Sequence, residues 1–184
     1  MIKTREIERN LLLLDFILNI PIRNQEICNL KISDIDSDNM LIQLLDREVP
    51  ITKPLLERLH KYLEERLTRG IECQYIFCRK YDGVMDKMTE SSISELIDKA
   101  VNRCSFSESR KKEIDLRFIR GNVIYRYVYQ GEFSLEEVMK IADCKLATLD
   151  TYINIDKIKL ETTIPIEKIE KYSKRYFKKY HPLI

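Results

Sequence analysis

Between residues 114 and 152 the chain spells out three helices in a row, with their starts and stops, and that stretch leaves few folds open. Leu116, Ile119, Val123, Ile124, Tyr127 and Val128 recur at intervals of three and four, which puts them on one side of a helix opening after Asp115. Gly131 ends it, because glycine enters the left-handed conformation without a Cβ penalty. Ser134-Leu135-Glu136-Glu137 is a capping box, in which serine and glutamate satisfy each other's backbone donors, so a second helix starts there and the pair forms a helical hairpin. A third, short helix over residues 148–153 carries Tyr152.

The chain upstream supplies what those helices pack on. Ile7, Leu11, Leu14 and Leu18 form a helical stripe that Leu12, Leu13, Phe16 and Ile17 widen, so residues 5–20 predict a largely buried helix, stopped by Pro21. Asn24 is placed to cap a second helix with Ile27 and Leu30 inward, and residues 33–39 read as a polar turn cluster. Residues 40–45 and 47–51 are short apolar runs on either side of Asp46, the pattern of a small antiparallel hairpin. Thr52, Pro54, the stripe Leu55, Leu56, Leu59, Tyr62, Leu63 and Leu67, and then Gly70 give a helix its cap, first turn, buried face and stop. A brief extended run at residues 75–78 precedes a turn at Tyr81-Asp82-Gly83, and Thr89 opens a helix with Ile93, Leu96, Ile97, Ala100 and Val101 inward. Residues 104–112 read as a polar, basic connection without core residues. Ile166, Ile169, Tyr172, Tyr176 and Phe177 predict a basic amphipathic helix near the end. The expectation is one domain over residues 1–184, mainly α with a small antiparallel β-sheet (an α+β arrangement), with residues 157–184 as a basic C-terminal arm.

Composition removes several function classes. The longest apolar runs are broken by Asp15 and Asn19, far short of the roughly 20 residues that cross a bilayer, and the first residues lack the apolar core of a signal peptide. A cytoplasmic protein without a membrane partner is expected. Five cysteines without a C-x-x-C pair, beside only two histidines, predict reduced thiols and no metal site. His60 falls off its helix stripe and reads as a surface residue. The net charge is only +2, yet residues 157–184 hold eight Lys/Arg against three Glu, and residues 103–126 hold seven against three acids. Basic clusters on a near-neutral whole mark one face for a polyanion.

Ile22-Arg23-Asn24-Gln25-Glu26, followed by Leu30 and Asp34-Ile35-Asp36, then Asp115-Leu116-Arg117, and then the spacing from Ile141 to Tyr152, together resemble the conserved boxes of the tyrosine recombinases, the phage-integrase family. The elements between them follow the family's order. The resemblance implies an integrase-like DNA breaking-rejoining catalytic core acting on double-stranded DNA. It makes Arg23 and Arg117 the phosphate-binding arginines, converging on one phosphate, a task their planar, permanently charged fork suits. It makes Tyr152 the nucleophile of a 3′-phosphotyrosyl intermediate, which conserves the energy of the broken bond and needs neither metal nor other cofactor. Arg120, Arg126, Lys111, Lys112 and Lys145 become candidate DNA contacts, and the C-terminal helix an arm that joins protomers into a homo-oligomer.

The chain also departs from the family. Ile114 stands where the resemblance expects a histidine, Asp143 where it expects histidine or tryptophan, and residues 40–51 hold no lysine to serve as acid for the leaving oxygen. The chain starts at the first helix of the catalytic domain, so the family's N-terminal clamp domain is expected to be missing. The function implied is site-specific DNA recombination or integration, as in mobile elements, with catalysis through Tyr152 weakened or lost. The alternative is an inactive DNA-binding regulator or recombination accessory protein on the same fold. Either reading predicts that affinity for duplex DNA falls steeply between roughly 50 and 200 mM salt, as counterion release requires. Gel shifts at the two concentrations check this, and equal affinity at both refutes it.

Overall fold

The computed structural model describes residues 2–130 and 133–153, with side chains from residue 7 on. The expected stop at Gly131 and the basic arm of residues 157–184, with its apolar stripe, lie outside the described residues. In chain order the elements are α1 (Ile2–Asn19), α2 (Asn24–Asn29), a 3-10 turn (Ile32–Asp34), β1 (Ile35–Asp36), β2 (Leu41–Gln43), β3 (Glu48–Pro50), α3 (Lys53–Thr68), β4 (Cys78–Tyr81), β5 (Val84–Lys87), α4 (Glu90–Asn102), α5 (Glu108–Glu113), α6 (Leu116–Tyr129), α7 (Leu135–Ala142) and α8 (Leu146–Tyr152). The fold is mainly helical with small antiparallel sheets.

α1 runs through the middle of the main core, and here the sequence expectation is corrected. Leu12, Leu13, Phe16, Ile17 and Ile20 are buried, whereas Ile7, Leu11 and Leu18 are exposed. Over residues 11–18 this helix is apolar nearly all round, so two stripes satisfy the same 3.6-residue period, and the one that α3 and α6 cover becomes the core. Phe16 meets Phe77 edge to face at 5.3 Å. A similar exchange occurs on α3, where Leu67 is 81% exposed and Arg66, at 4%, is buried in its place. Arg66 donates from Nη2 to the Cys73 carbonyl at 2.8 Å, and from Nη1 to those of Tyr75 at 2.8 Å and Ile76 at 3.0 Å. It thereby satisfies acceptors in a segment whose pairing is a lone bridge between Lys31 and Tyr75.

The expected hairpin forms as β2 and β3, with Ile42 opposite Val49, and both side chains are buried. β1 adds a third strand through Ile35 opposite Ile42, so the cluster at residues 33–39 is not all turn. β4 and β5 form a second hairpin around Asp82 (φ 46°) and Gly83 (φ 91°), the two positive φ values that a two-residue loop of this twist demands. α5 occupies residues expected to be a connection. It buries none of its side chains and so shows no apolar period, but Ser107 caps it and the Lys111–Glu108 and Arg110–Glu113 pairs brace it, at 2.7 and 2.8 Å.

α6 crosses α1 and closes its C-terminal end, where Arg126 donates to the Leu18 carbonyl and the Tyr127 hydroxyl to that of Asn19 at 2.8 Å. On its other side α6 joins α7 and α8 in a smaller cluster of Ile124, Val138, Ala142, Leu149 and Ile153. α7 starts as read, with the Ser134–Glu137 capping box closed in both directions at 2.7 and 3.2 Å. No helix among the described residues is long and apolar enough to cross a membrane.

Replacing Arg66 with methionine keeps much of its volume but takes the guanidinium from three carbonyls, of which that of Ile76 keeps a long bond from the Tyr62 hydroxyl at 3.4 Å. At about 1–3 kcal/mol for an unsatisfied buried group, the variant should lose roughly 3 kcal/mol or more in urea unfolding. A loss under about 1 kcal/mol would show that solvent replaces the guanidinium.

Candidate active site

Arg23 sits at the N-cap of α2, the start that Pro21 and the polar run after it dictate. Its backbone N–H donates to Glu26 Oε2 at 2.7 Å. The Glu26 carboxylate is in turn gripped from two sides by Arg47, with Nη1 at 2.5 Å and Nη2 at 2.9 Å, while Arg47 Nε donates to the Ile141 carbonyl at 2.8 Å. Burial alone lowers the Arg47 pKa, but the bonds and charge of Glu26, with help from Asp46, more than offset it and leave the guanidinium above its ordinary value. Sequence reasoning missed Arg47 as a site residue. Its partner lies 21 residues upstream, and nothing local marks a hairpin arginine as buried.

Arg120 reaches across from α6. Its Nε donates to the Pro21 carbonyl at 3.1 Å and its Nη2 to the Ala142 carbonyl. Burial holds its pKa below the ordinary arginine value, opposed by the nearby Tyr152 phenol and reinforced by the charge of Arg23. Arg23 Nη2 donates to the Asp143 carbonyl at 2.8 Å and makes an ion pair with the Asp143 carboxylate. Asp143 ends α7 in the left-handed conformation (φ 42°). Arg23, Arg47, Arg120, Lys140 and Lys145 thus line one open pocket of about 500 Å³, with Asp46 and Asp143 as its acids. Five cations face two carboxylates there, and with Arg47 committed to Glu26 the pocket still holds an excess of positive charge.

Tyr152 closes α8 and lays its ring against Gly121 of α6. Arg117, one turn before Arg120, does not share the Arg23 pocket. It lines a separate hollow of about 370 Å³ with Phe118, Gly121, Tyr125 and Tyr152. The structure therefore brings Arg23 together with Arg120, and the expected convergence of Arg23 with Arg117 is not found. Three residues along a helix turn a side chain by roughly 60°, enough to send the two arginines into different hollows. Of the other predicted contacts, Lys145 lines the pocket from the N-cap of α8. Lys111 pairs with Glu108, Lys112 is exposed on α5, and Arg126 bonds the end of α1, and none of the three lines either hollow. Ile114 packs partly buried against the main core. Among the described residues no group of three or more His, Cys, Asp or Glu is placed to hold a metal ion.

Comparison with known proteins identifies the family and the fold. The family described as the Phage integrase family matches residues 2–157. The tyrosine recombinase XerA of Pyrococcus horikoshii is 30% identical over 97 residues, which are 50% of this chain and 33% of that protein. The crystal structure of XerA recombinase superposes with a TM-score of 0.70 at 19% identity, over 86% of this chain and 59% of that one. The site-specific recombinase XerH, bound to a palindromic difH substrate in a post-cleavage complex, gives 0.61 at 22% identity, over 89% and 47%. The Tn1549 transposon integrase in complex with circular intermediate DNA gives 0.61 at 17%, over 83% and 56%. The chain spans about a third of the curated relative and about half of the solved ones. With the family matched over most of its length, this chain belongs to the phage integrase family, as a tyrosine recombinase catalytic domain.

Proposed function

We propose that this domain binds double-stranded DNA for site-specific recombination and grips one backbone phosphate between Arg23 and Arg120, with Tyr152 as the attacking group and Arg117 in the hollow beside it. The observation that carries the reading is the shared pocket of Arg23 and Arg120, with the Tyr152 ring seated on Gly121, the next residue along α6. Two guanidinium groups from different helices can hold the two non-bridging oxygens while charge builds on them, and such electrostatic stabilisation is usually the largest catalytic contribution. The chemistry balances without a cofactor. The phenol oxygen forms a bond to phosphorus, the 5′-oxygen leaves with a proton, and a 3′-phosphotyrosyl ester remains.

We further propose that cleavage is weak. The hairpin loop holds Leu44, Leu45, Asp46 and Arg47, and an arginine committed to Glu26 does not hand a proton to a leaving oxygen. General acid catalysis of that kind contributes about 10² to 10⁴-fold. Asp143 also holds Arg23 in an ion pair that an incoming phosphate must displace. The same pair favours the second reading, an inactive regulator or accessory protein that binds DNA and leaves it intact.

On a nicked suicide substrate the wild type should bind and give little or no trapped covalent adduct, with Tyr152→Phe binding equally well and Arg23→Ala or Arg120→Ala binding about tenfold or more weakly, each losing charged hydrogen bonds of about 1.5–3 kcal/mol. A robust adduct that vanishes in Tyr152→Phe would make the domain a working recombinase, and absence of binding would remove the DNA reading altogether. Asparagine tolerates the left-handed backbone of Asp143 as well as aspartate does, so Asp143→Asn removes charge without removing the helix stop. The Arg23 and Asp143 side chains are 44% and 42% exposed, so the pair is worth at most about 1 kcal/mol. DNA affinity should therefore rise roughly two- to fivefold, and unchanged affinity would show that Asp143 does not compete with phosphate.

A further inference from the structure

α6 contains a glycine in its interior, at a place where glycine is a poor choice. It loses more backbone freedom on folding than any other residue, and alanine is the better helix former. The backbone gives no reason for it. Gly70 and Gly83 have positive φ and open space around them, whereas Gly121 lies in regular helix, and positive φ is not what it supplies. Its reason is the close approach of a side chain. A Cβ at Gly121 would stand 2.7 Å from Tyr152 Cδ1, 3.0 Å from Cε1 and 3.6 Å from Cγ, so the ring lies with one edge in the space a side chain would fill.

We propose that Gly121 is a positioning residue for Tyr152, its bare backbone forming the seat on α6 that holds the phenol ring in the hollow it shares with Arg117. This rests on the reading above that Tyr152 is the attacking group. α8 is only seven residues long and is anchored by Leu149 and, just past its end, Ile153, both buried in the small cluster with α6 and α7. That anchoring fixes the direction of the helix but not the side-chain torsion of its last residue. The ring needs a second contact to hold one rotamer, and the face of α6 next to Arg120 supplies it. Cδ1 and Cε1 both stand closer than a Cβ can approach, so an added Cβ forces the ring to turn or move off α6, or pushes α8 outward. Displacement of the ring or of α8 misplaces the nucleophile, and ångström-scale misplacement of a reacting group costs orders of magnitude in rate.

A thermal-unfolding cycle tests the seat independently of activity, using Gly121→Ala, Tyr152→Ala and the double variant in the full chain. With the ring gone, Gly121→Ala should raise Tm by about 2–4 °C, the shift that a typical gain in helix propensity gives in a domain of this size. With the ring present the same substitution should lower Tm. Equal shifts of the same sign in both backgrounds overturn the proposal. Where wild type gives a measurable adduct on the nicked duplex, Gly121→Ala should reduce its yield at least tenfold while DNA affinity stays within twofold, and an unchanged yield overturns the positioning role. Where wild type gives no adduct, the outcome expected of weak cleavage, the sign of the two Tm shifts decides whether Gly121 seats the ring.

Discussion

Arg47 joins three segments far apart in sequence: the hairpin that carries it, α2 through the Glu26 carboxylate, and the end of α7 through the Ile141 carbonyl. Arg47 is buried and Glu26 partly so, and a buried charge is tolerable only with a close partner and its remaining donors bonded. Both conditions hold, since the fork grips Glu26 and Nε takes a backbone acceptor. Everything else in the site hangs on this connection. Glu26 holds the first turn of α2, where Arg23 starts, and Ile141 lies two residues before Asp143. Loss of either partner would leave a charge in the interior and free α2 and α7 to separate. The pair therefore acts as a clasp that sets the width of the pocket.

Arg120 repeats the device at smaller scale. It draws the Pro21 and Ala142 carbonyls together from α6, so two arginines span the same gap, one anchored in a carboxylate and one in backbone. The consequence is electrostatic as well as structural. Arg47 is neutralised by its partner, whereas Arg120 bonds to uncharged carbonyls and keeps a full charge facing the pocket, depressed in pKa by burial and by Arg23. A phosphate would relieve that repulsion directly. Asp143 relieves part of it already, through Arg23.

Much of the fold was legible because local chemistry decided it. The Ser134–Glu137 box, the Thr89 cap and the Asp82-Gly83 turn each depend on neighbours within four residues, and each formed as read. What failed was decided by packing. On α1 two apolar stripes were equivalent until α3 and α6 chose one, and α5 had no apolar period at all. Which arginine of α6 lines the Arg23 pocket was illegible for a related reason. Leu116-Arg117 and Ile119-Arg120 are the same apolar–arginine pattern one turn apart, and only the position of Arg120 between the Pro21 and Ala142 carbonyls distinguishes them. Arg47 and Glu26 were illegible outright, because a pairing over 21 residues leaves no periodic trace.

α6 is the element through which the two cores communicate. Ile119 packs on the main core, Ile124 belongs to the small cluster, and Tyr127 touches both. A helix buried on opposite sides has no single apolar face, which is why its pattern is less amphipathic than that of α7 beside it. The small cluster contains only five buried side chains, too few to hold α7 and α8 in place without α6. Opening of this segment therefore requires far less apolar surface to be exposed than opening of the main core, and local stability follows that surface. Tyr152 thus rides on an element of the smaller cluster, while Arg47 and Arg120 tie the end of α7 back to the β2–β3 hairpin, α2 and α6. An arrangement of this kind ties the Arg23 pocket together from several elements and leaves the placement of the Tyr152 ring to a few contacts on α6.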